Sequence, residues 1–176
     1  SHPVLYTAYG LNTLPDFASA VDDAYLSNPD RLTDYQLRYT TDYAAIGDDL
    51  AAYDRYVYDH YLQIPEELQE PLQEILDNAG LSAVSAQEAA AMWVRELGTY
   101  DLDTPAVPAG EDFVLYFLTQ SQRGYCVHFA SATVLLMRAL GIPARYVTGY
   151  AVSGAAGETQ LVTEDSAHAW GEYYVS

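Results

Sequence analysis

Gly124-Tyr125-Cys126-Val127-His128-Phe129-Ala130-Ser131-Ala132 opens the stretch on which the reading of this chain turns. The run stays apolar through Thr133, Val134, Leu136, Met137 and Leu140, then meets Gly141 and Pro143. A glycine just past a periodic apolar segment, with proline beyond it, punctuates a helix C-terminus. The spacing predicts a helix over 126–140, central and buried because few polar positions interrupt it. After it the period drops to two. Arg145–Val152 reads as a strand, 153–158 as a turn, Thr159–Thr163 as a returning strand and Ala167–Val175 as a third. In the last, His168, Trp170, Glu172 and Tyr174 share one face; Ala167, Ala169, Gly171 and Tyr173 share the other. A buried helix followed by an antiparallel meander makes the class α+β.

Working back toward the N-terminus, Asp112–Leu118 is a helical turn or two, and Tyr100–Gly110, with two prolines and several acids, is an extended connection. Ser85 with Glu88 three residues on forms a capping box ahead of Ala89, Met92, Trp93 and Leu97, and Gly98 ends that helix. Pro65-Glu66-Glu67 reads as a first helical turn, with Leu68, Leu72, Ile75 and Leu76 as its stripe and Gly80 as its stop. Pro71 inside the stripe predicts a kink or a later start. Asp30–Tyr61 is mixed: Leu50, Tyr53, Val57 and Tyr61 fit a helix face, whereas Tyr39, Thr40 and Thr41 favour strand or turn. In Pro15–Leu26, Phe17, Val21, Tyr25 and Leu26 recur near the helical period before Asn28-Pro29-Asp30 breaks the run. The expected division is a helical N-terminal extension, 1–56, packing on a core of 57–176.

The chain has 176 residues, half of them apolar, enough for one compact domain with a true core. It carries 25 acidic residues against seven basic ones, all arginine, for a net charge of -18. Such a surface repels phosphate backbones and anionic bilayers, which argues against nucleic-acid or direct membrane partners. One cysteine excludes an internal disulfide and a cysteine-based zinc site, and no metal is expected. No apolar run approaches the roughly 20 residues that span a bilayer. Ser1 is not a natural start and Ser176 follows directly on a strand-like run, so the segment reads as a soluble piece of a longer protein.

Cys126 stands at the first turn of the central helix. A thiolate is a far better nucleophile than a thiol, and both a helix N-terminus and an adjacent imidazole lower a thiol's pKa from about 8.5. Gly124 lets the approach turn sharply and leaves the sulfur open. His168 follows forty-two residues later on a strand that can return across the helix start, flanked by the small Ala167 and Ala169. Together they suit a thiolate–imidazolium pair. A lone core cysteine as a small hydrophobe and a structural strand histidine remain the open alternatives. His128, two positions past Cys126, lies about 200° around the helix and reads as a cap or supporting contact rather than the base.

These residues, with Leu140-Gly141-Ile142-Pro143-Ala144-Arg145-Tyr146-Val147-Thr148-Gly149-Tyr150 and Ala167-His168-Ala169-Trp170-Gly171-Glu172, resemble the core signature of the transglutaminase-like superfamily. The likeness runs from about Val57 onward and is nearest to bacterial multi-pass membrane proteins that hold such a domain outside the cytoplasm. It implies a papain-like fold, with Cys126 as acyl-accepting nucleophile on a helix and His168 as general base and acid on the sheet. It implies supporting roles for Gly124 and Tyr125, a structural carboxylate pair for Arg145, and Trp170 packed beside the imidazole. The oxyanion would be met by the Cys126 N–H and a second donor, with Gln120 as candidate and Gln122 and Tyr125 as alternatives.

Such enzymes complete a triad with an aspartate one strand beyond the histidine. Glu172 is about 13 Å along the strand from His168 and Asp165 falls in the turn, so the third member is expected beyond Ser176. The implied chemistry is acyl transfer on protein or peptide amides through a thioester, ending in hydrolysis or amine cross-linking. No cofactor is expected, and no calcium-loop signature occurs. The rival is an inactive binding module that holds peptides or cell-wall polymer through its seventeen tyrosines. The expected location is the extracytoplasmic side of a bacterial membrane, with membrane contact only through segments outside this chain.

Overall fold

A computed structural model describes residues 4–7, 9, 11, 13–21, 24–27, 35–39, 50–82, 86–155 and 157–175. The chain divides into two units, Ser1–Asp49 and Leu50–Ser176.

In the first unit, β1 (Ala18–Val21) and β2 (Ala24–Ser27) pair antiparallel, Ala18 opposite Ser27 and Val21 opposite Ala24. Leu5 is buried beside them, its N–H donating to the Tyr25 carbonyl at 2.8 Å. The helix expected over Pro15–Leu26 is therefore a hairpin. Phe17, Val21 and Tyr25 are spaced by four, which satisfies a period of two as well as one of 3.6. The short run could not separate the two. A bridge from Leu11 to Tyr39 agrees with the extended reading at Tyr39. Thr40, Thr41 and the Ser85 cap lie outside the described residues.

The second unit begins with α1 (Leu50–His60). Val57 and Tyr61 are buried as the pattern required, while Tyr53 stays exposed. α2 (Glu66–Ala79) starts after Pro65 and ends at Gly80, whose φ of 67° is the left-handed stop. Pro71 lies inside it, and the helix neither starts later nor breaks; the missing N–H removes one bond, to the Glu67 carbonyl. Leu68, Leu72 and Leu76 are buried together. In α3 (Ala86–Leu97) the core contacts come from Ala90 and Val94, and Met92 points to solvent.

Thr99–Tyr100 (β3) pairs parallel with Arg123–Gly124 (β4). Between them, Asp112 caps α4 (Phe113–Tyr116) by accepting the N–H groups of Val114 and Leu115 at 2.9 and 3.1 Å. A π-helical turn, Phe117–Ser121, follows and closes at Gln122 in the left-handed region. Then comes α5 (Cys126–Ala139), with Ala132, Val134, Leu136 and Met137 in the core and Gly141 at φ 77° beyond its end. β5 (Ala144–Tyr150) and β6 (Ala167–Tyr173) pair antiparallel in register from Ala144–Tyr173 to Tyr150–Ala167.

The middle strand of the expected meander, Thr159–Thr163, does not form. Residues 159–163 are irregular and exposed, with Leu161 86% and Val162 44% accessible. The adjacent Leu161 and Val162 point to opposite faces of any strand, and with no surface to cover them they gain nothing from strand geometry. A turn at Glu164–Ser166 instead leads directly into β6.

Candidate active site

α5 spans about 21 Å and β5 about 23 Å, and only Ile142 and Pro143 follow Gly141 before β5 begins. The chain therefore reverses once. The far end of β5 and the start of β6, with Gly149 opposite His168, form the end of the hairpin away from the α5–β5 connection. Helix and hairpin also touch along their length: a side chain at Gly171 would meet Val134, Thr133 and the Ala130 carbonyl of α5.

Cys126 is the first residue of α5 and half-buried. In that position its N–H has no intrahelical acceptor, which leaves a donor beside the sulfur. Tyr125 is the N-cap. His128 lies within ring contact of Phe113, Phe117 and Tyr125, at centroid distances of 5.8, 5.6 and 4.7 Å. Its Nδ1 accepts the Tyr125 N–H at 3.4 Å, and burial lowers its pKa. His128 is thus a neutral cap. Gly124 corrects the sequence reading: its φ is not positive and it sits in β4 rather than in a sharp turn. Glycine is required there because a Cβ would lie 2.6 Å from that of His128.

Strand alternation carried the sequence reading well. Ala169 is buried and Gly171 faces α5, so His168, Trp170 and Glu172 belong to the other face. There Glu172 is held by Arg145 at 2.8 and 2.9 Å and by the Trp170 indole N–H at 3.0 Å. Burial disfavours the guanidinium charge, yet hydrogen bonds to Glu172 and Tyr61 outweigh it and raise the Arg145 pKa. The Trp170 ring lies over Gly149, the cross-strand partner of His168. Held in this way, Glu172 is not the carboxylate that would orient His168.

His168 is exposed, and among the described residues no hydrogen bond or ion pair joins it to Cys126. Gln120 is exposed on the π-helical turn, its amide donating to Glu111 at 2.7 Å. The Gln122 side chain is exposed, and its carbonyl accepts the Thr99 N–H at 2.7 Å. Asp165 is exposed in the turn before β6.

One neighbour escaped the sequence reading. Tyr146 shares the α5 face with Gly171, its cross-strand partner; burial, then Cys126 and Tyr125, push its phenol pKa up. Only the register could have found it, because Arg145 beside it drew the attention.

The core model of the transglutaminase-like superfamily matches residues 72–176. This chain belongs to that superfamily. It is 32% identical over 127 residues, 66% of its length, to the uncharacterized protein YebA of Bacillus subtilis, covering 17% of that protein. Over 77 residues, 43% of its length, it is 44% identical to a protein-glutamine gamma-glutamyltransferase of Pseudomonas aeruginosa, covering 11% of it. The chain thus spans less than a fifth of either relative. Among solved structures, the periplasmic domain of TgpA from Pseudomonas aeruginosa aligns with a TM-score of 0.63 at 24% identity, over 99% of this chain and 62% of that one. The same domain bound to ethylmercury aligns with a TM-score of 0.55 at 32% identity, over 69% and 45%. The α+β, papain-like architecture is that of these superfamily members.

Proposed function

We propose that this chain is the catalytic domain of a cysteine acyltransferase. Cys126 attacks the carbonyl of a protein or peptide amide, and the amine leaves with a proton from His168. Water or a second amine then resolves the thioester. The reading rests chiefly on one observation: the chain's sole thiol is the first residue of α5, the helix against which the β5–β6 hairpin carrying His168 packs. There the helix N-terminus favours the thiolate, and the Cys126 N–H is free to meet an oxyanion. Catalytic hydrogen bonds are often long in free enzymes and tighten with substrate, so an unbonded His168 is compatible with a base.

The likeness to a gamma-glutamyltransferase favours glutamine side chains as acyl donors. The absence of lysine means any lysine acceptor comes from a partner. The likeness to a periplasmic domain supports an extracytoplasmic location. Ethylmercury seeks thiols, so the same reagent is a direct probe of Cys126. A binding module without catalysis is the second reading, favoured by the exposed His168 and the missing Cys126–His168 bond. A glutamine-peptide assay that follows both amine incorporation and ammonia release separates the two. The enzyme reading requires turnover that Cys126→Ala abolishes. No turnover by this chain, nor by one extended beyond Ser176 to supply an orienting carboxylate, contradicts it.

A further inference from the structure

Helix α5 closes its N-terminus in an unusual way. A capping box places Glu or Gln at the third helical position, where the side chain accepts the N–H of the N-cap. Here the third position is His128, and its Nδ1 takes that role toward Tyr125 at 3.4 Å. Phe113 and Phe117 hold the imidazole from outside the helix, while the Gly124 α-carbon lies against its Cβ and Cγ, where an added Cβ would sit at 2.6 and 2.8 Å. Gly124, Tyr125 and His128 therefore interlock around the backbone that delivers Cys126.

We infer that His128 is a positioning residue, a neutral hydrogen-bond acceptor that fixes the Tyr125–Cys126 backbone and hence the nucleophile and its N–H. The inference deepens the proposed acyl-transfer reading and rests on it. The choice of imidazole has a physical reason. A glutamate would cap equally well but set a carboxylate within one turn of the sulfur, and a like charge there disfavours the thiolate. A caged neutral ring supplies the acceptor without the charge. The aromatic contacts hold the ring, the Tyr125 N–H meets its Nδ1, and the glycine allows the close approach.

Two substitutions separate this role from packing. His128→Asn keeps an acceptor near the Nδ1 position but loses the ring; His128→Phe keeps an aromatic ring in the cage but loses the acceptor. The readout is the iodoacetamide alkylation rate of Cys126 against pH, which needs no substrate. The positioning role predicts that His128→Phe slows alkylation at pH 7 about fivefold, the size of a lost helix cap, and that His128→Asn recovers most of the rate. The reverse order, no change in either variant, or equal slowing in both overturns it. If a variant does not fold, the unmodified protein still decides: the ring ¹⁵N shifts of His128 at neutral pH must show Nδ1 unprotonated and Nε2 bearing hydrogen. The opposite tautomer overturns the inference. An ordinary thiol profile in the unmodified chain, with Nδ1 unprotonated, would instead count against Cys126 as an activated nucleophile and leave the cap in place.

Discussion

The two ends of the β5–β6 hairpin are built on opposite terms. At the Ala144–Tyr173 end polar contacts tie the hairpin to its surroundings. Arg145 and Trp170 hold Glu172, the Ala144 N–H donates to the Tyr61 carbonyl, and the Tyr174 hydroxyl donates to Asp54 of α1. At the Gly149–His168 end the strands open into residues 151–166, where Val152 and Leu161 face solvent, and His168 has no partner drawn from Cys126. One end secures the hairpin; the other, under the proposed function, is where a substrate would be accepted. The same seven-residue ladder serves both purposes, because strand pairing transmits the position fixed at one end to the other.

That contrast can be broken in order of effect. Cys126→Ala should remove alkylation and acyl transfer completely while changing stability by less than about 1 kcal/mol, since the lost group is one half-buried sulfur. A stability loss with acyl transfer intact would reverse the assignment of the ends. Gly124→Ala forces a Cβ against His128 and should cost about 1–3 kcal/mol, with slower Cys126 alkylation, as measured by urea titration and thiol kinetics.

Glu172→Ala tests the secured end. It strands the Arg145 guanidinium and the indole N–H. Because the Arg145 side chain is 39% exposed, water offsets much of that penalty, leaving about 1–2 kcal/mol. Alkylation of Cys126 should hardly move. A large change in alkylation with intact stability would mean that Glu172 acts on His168 directly.

Alkaline pH gives a smaller, cleaner test. Donation to Asp54 pushes the Tyr174 pKa up to about 12, above the ordinary 10 of a free tyrosine. The folded state therefore prefers the protonated phenol. Its contribution is complete below pH 10 and fades as pH rises toward 12. Tyr174→Phe should flatten that part of the stability curve, and an unchanged slope between pH 10 and 12 would show that the contact contributes nothing. Leu161→Ser, in the uncovered loop, should leave stability within about 0.5 kcal/mol.

Much of the secured architecture was legible because it is written in local chemistry. Gly80 and Gly141 ended helices at positive φ, Leu68, Leu72 and Leu76 marked one buried stripe, and alternation from Ala167 to Tyr173 assigned both faces of β6. The misreadings share another cause. Phe17, Val21 and Tyr25 have a spacing that a helix and a strand both satisfy. The Thr159–Thr163 run lacks a surface that only the fold could have supplied. Gly124 looked like a turn because its real neighbour, the His128 side chain, is set by helix geometry and cage packing rather than by adjacent sequence. For the proposed site, Cys126 and His168 stand out in the sequence by residue type and order alone. Tyr146 needed the register, and the cap at Tyr125 needed the orientation of a ring.

The pairing of thiol and imidazole is tested most directly by comparing the pH dependence of Cys126 alkylation in the unmodified chain and in His168→Gln. The account predicts that the unmodified thiol reacts appreciably well below pH 8 and that the variant's profile moves up toward the ordinary thiol value of about 8.5. Coincident profiles, or a thiol already ordinary in the unmodified chain, would contradict it.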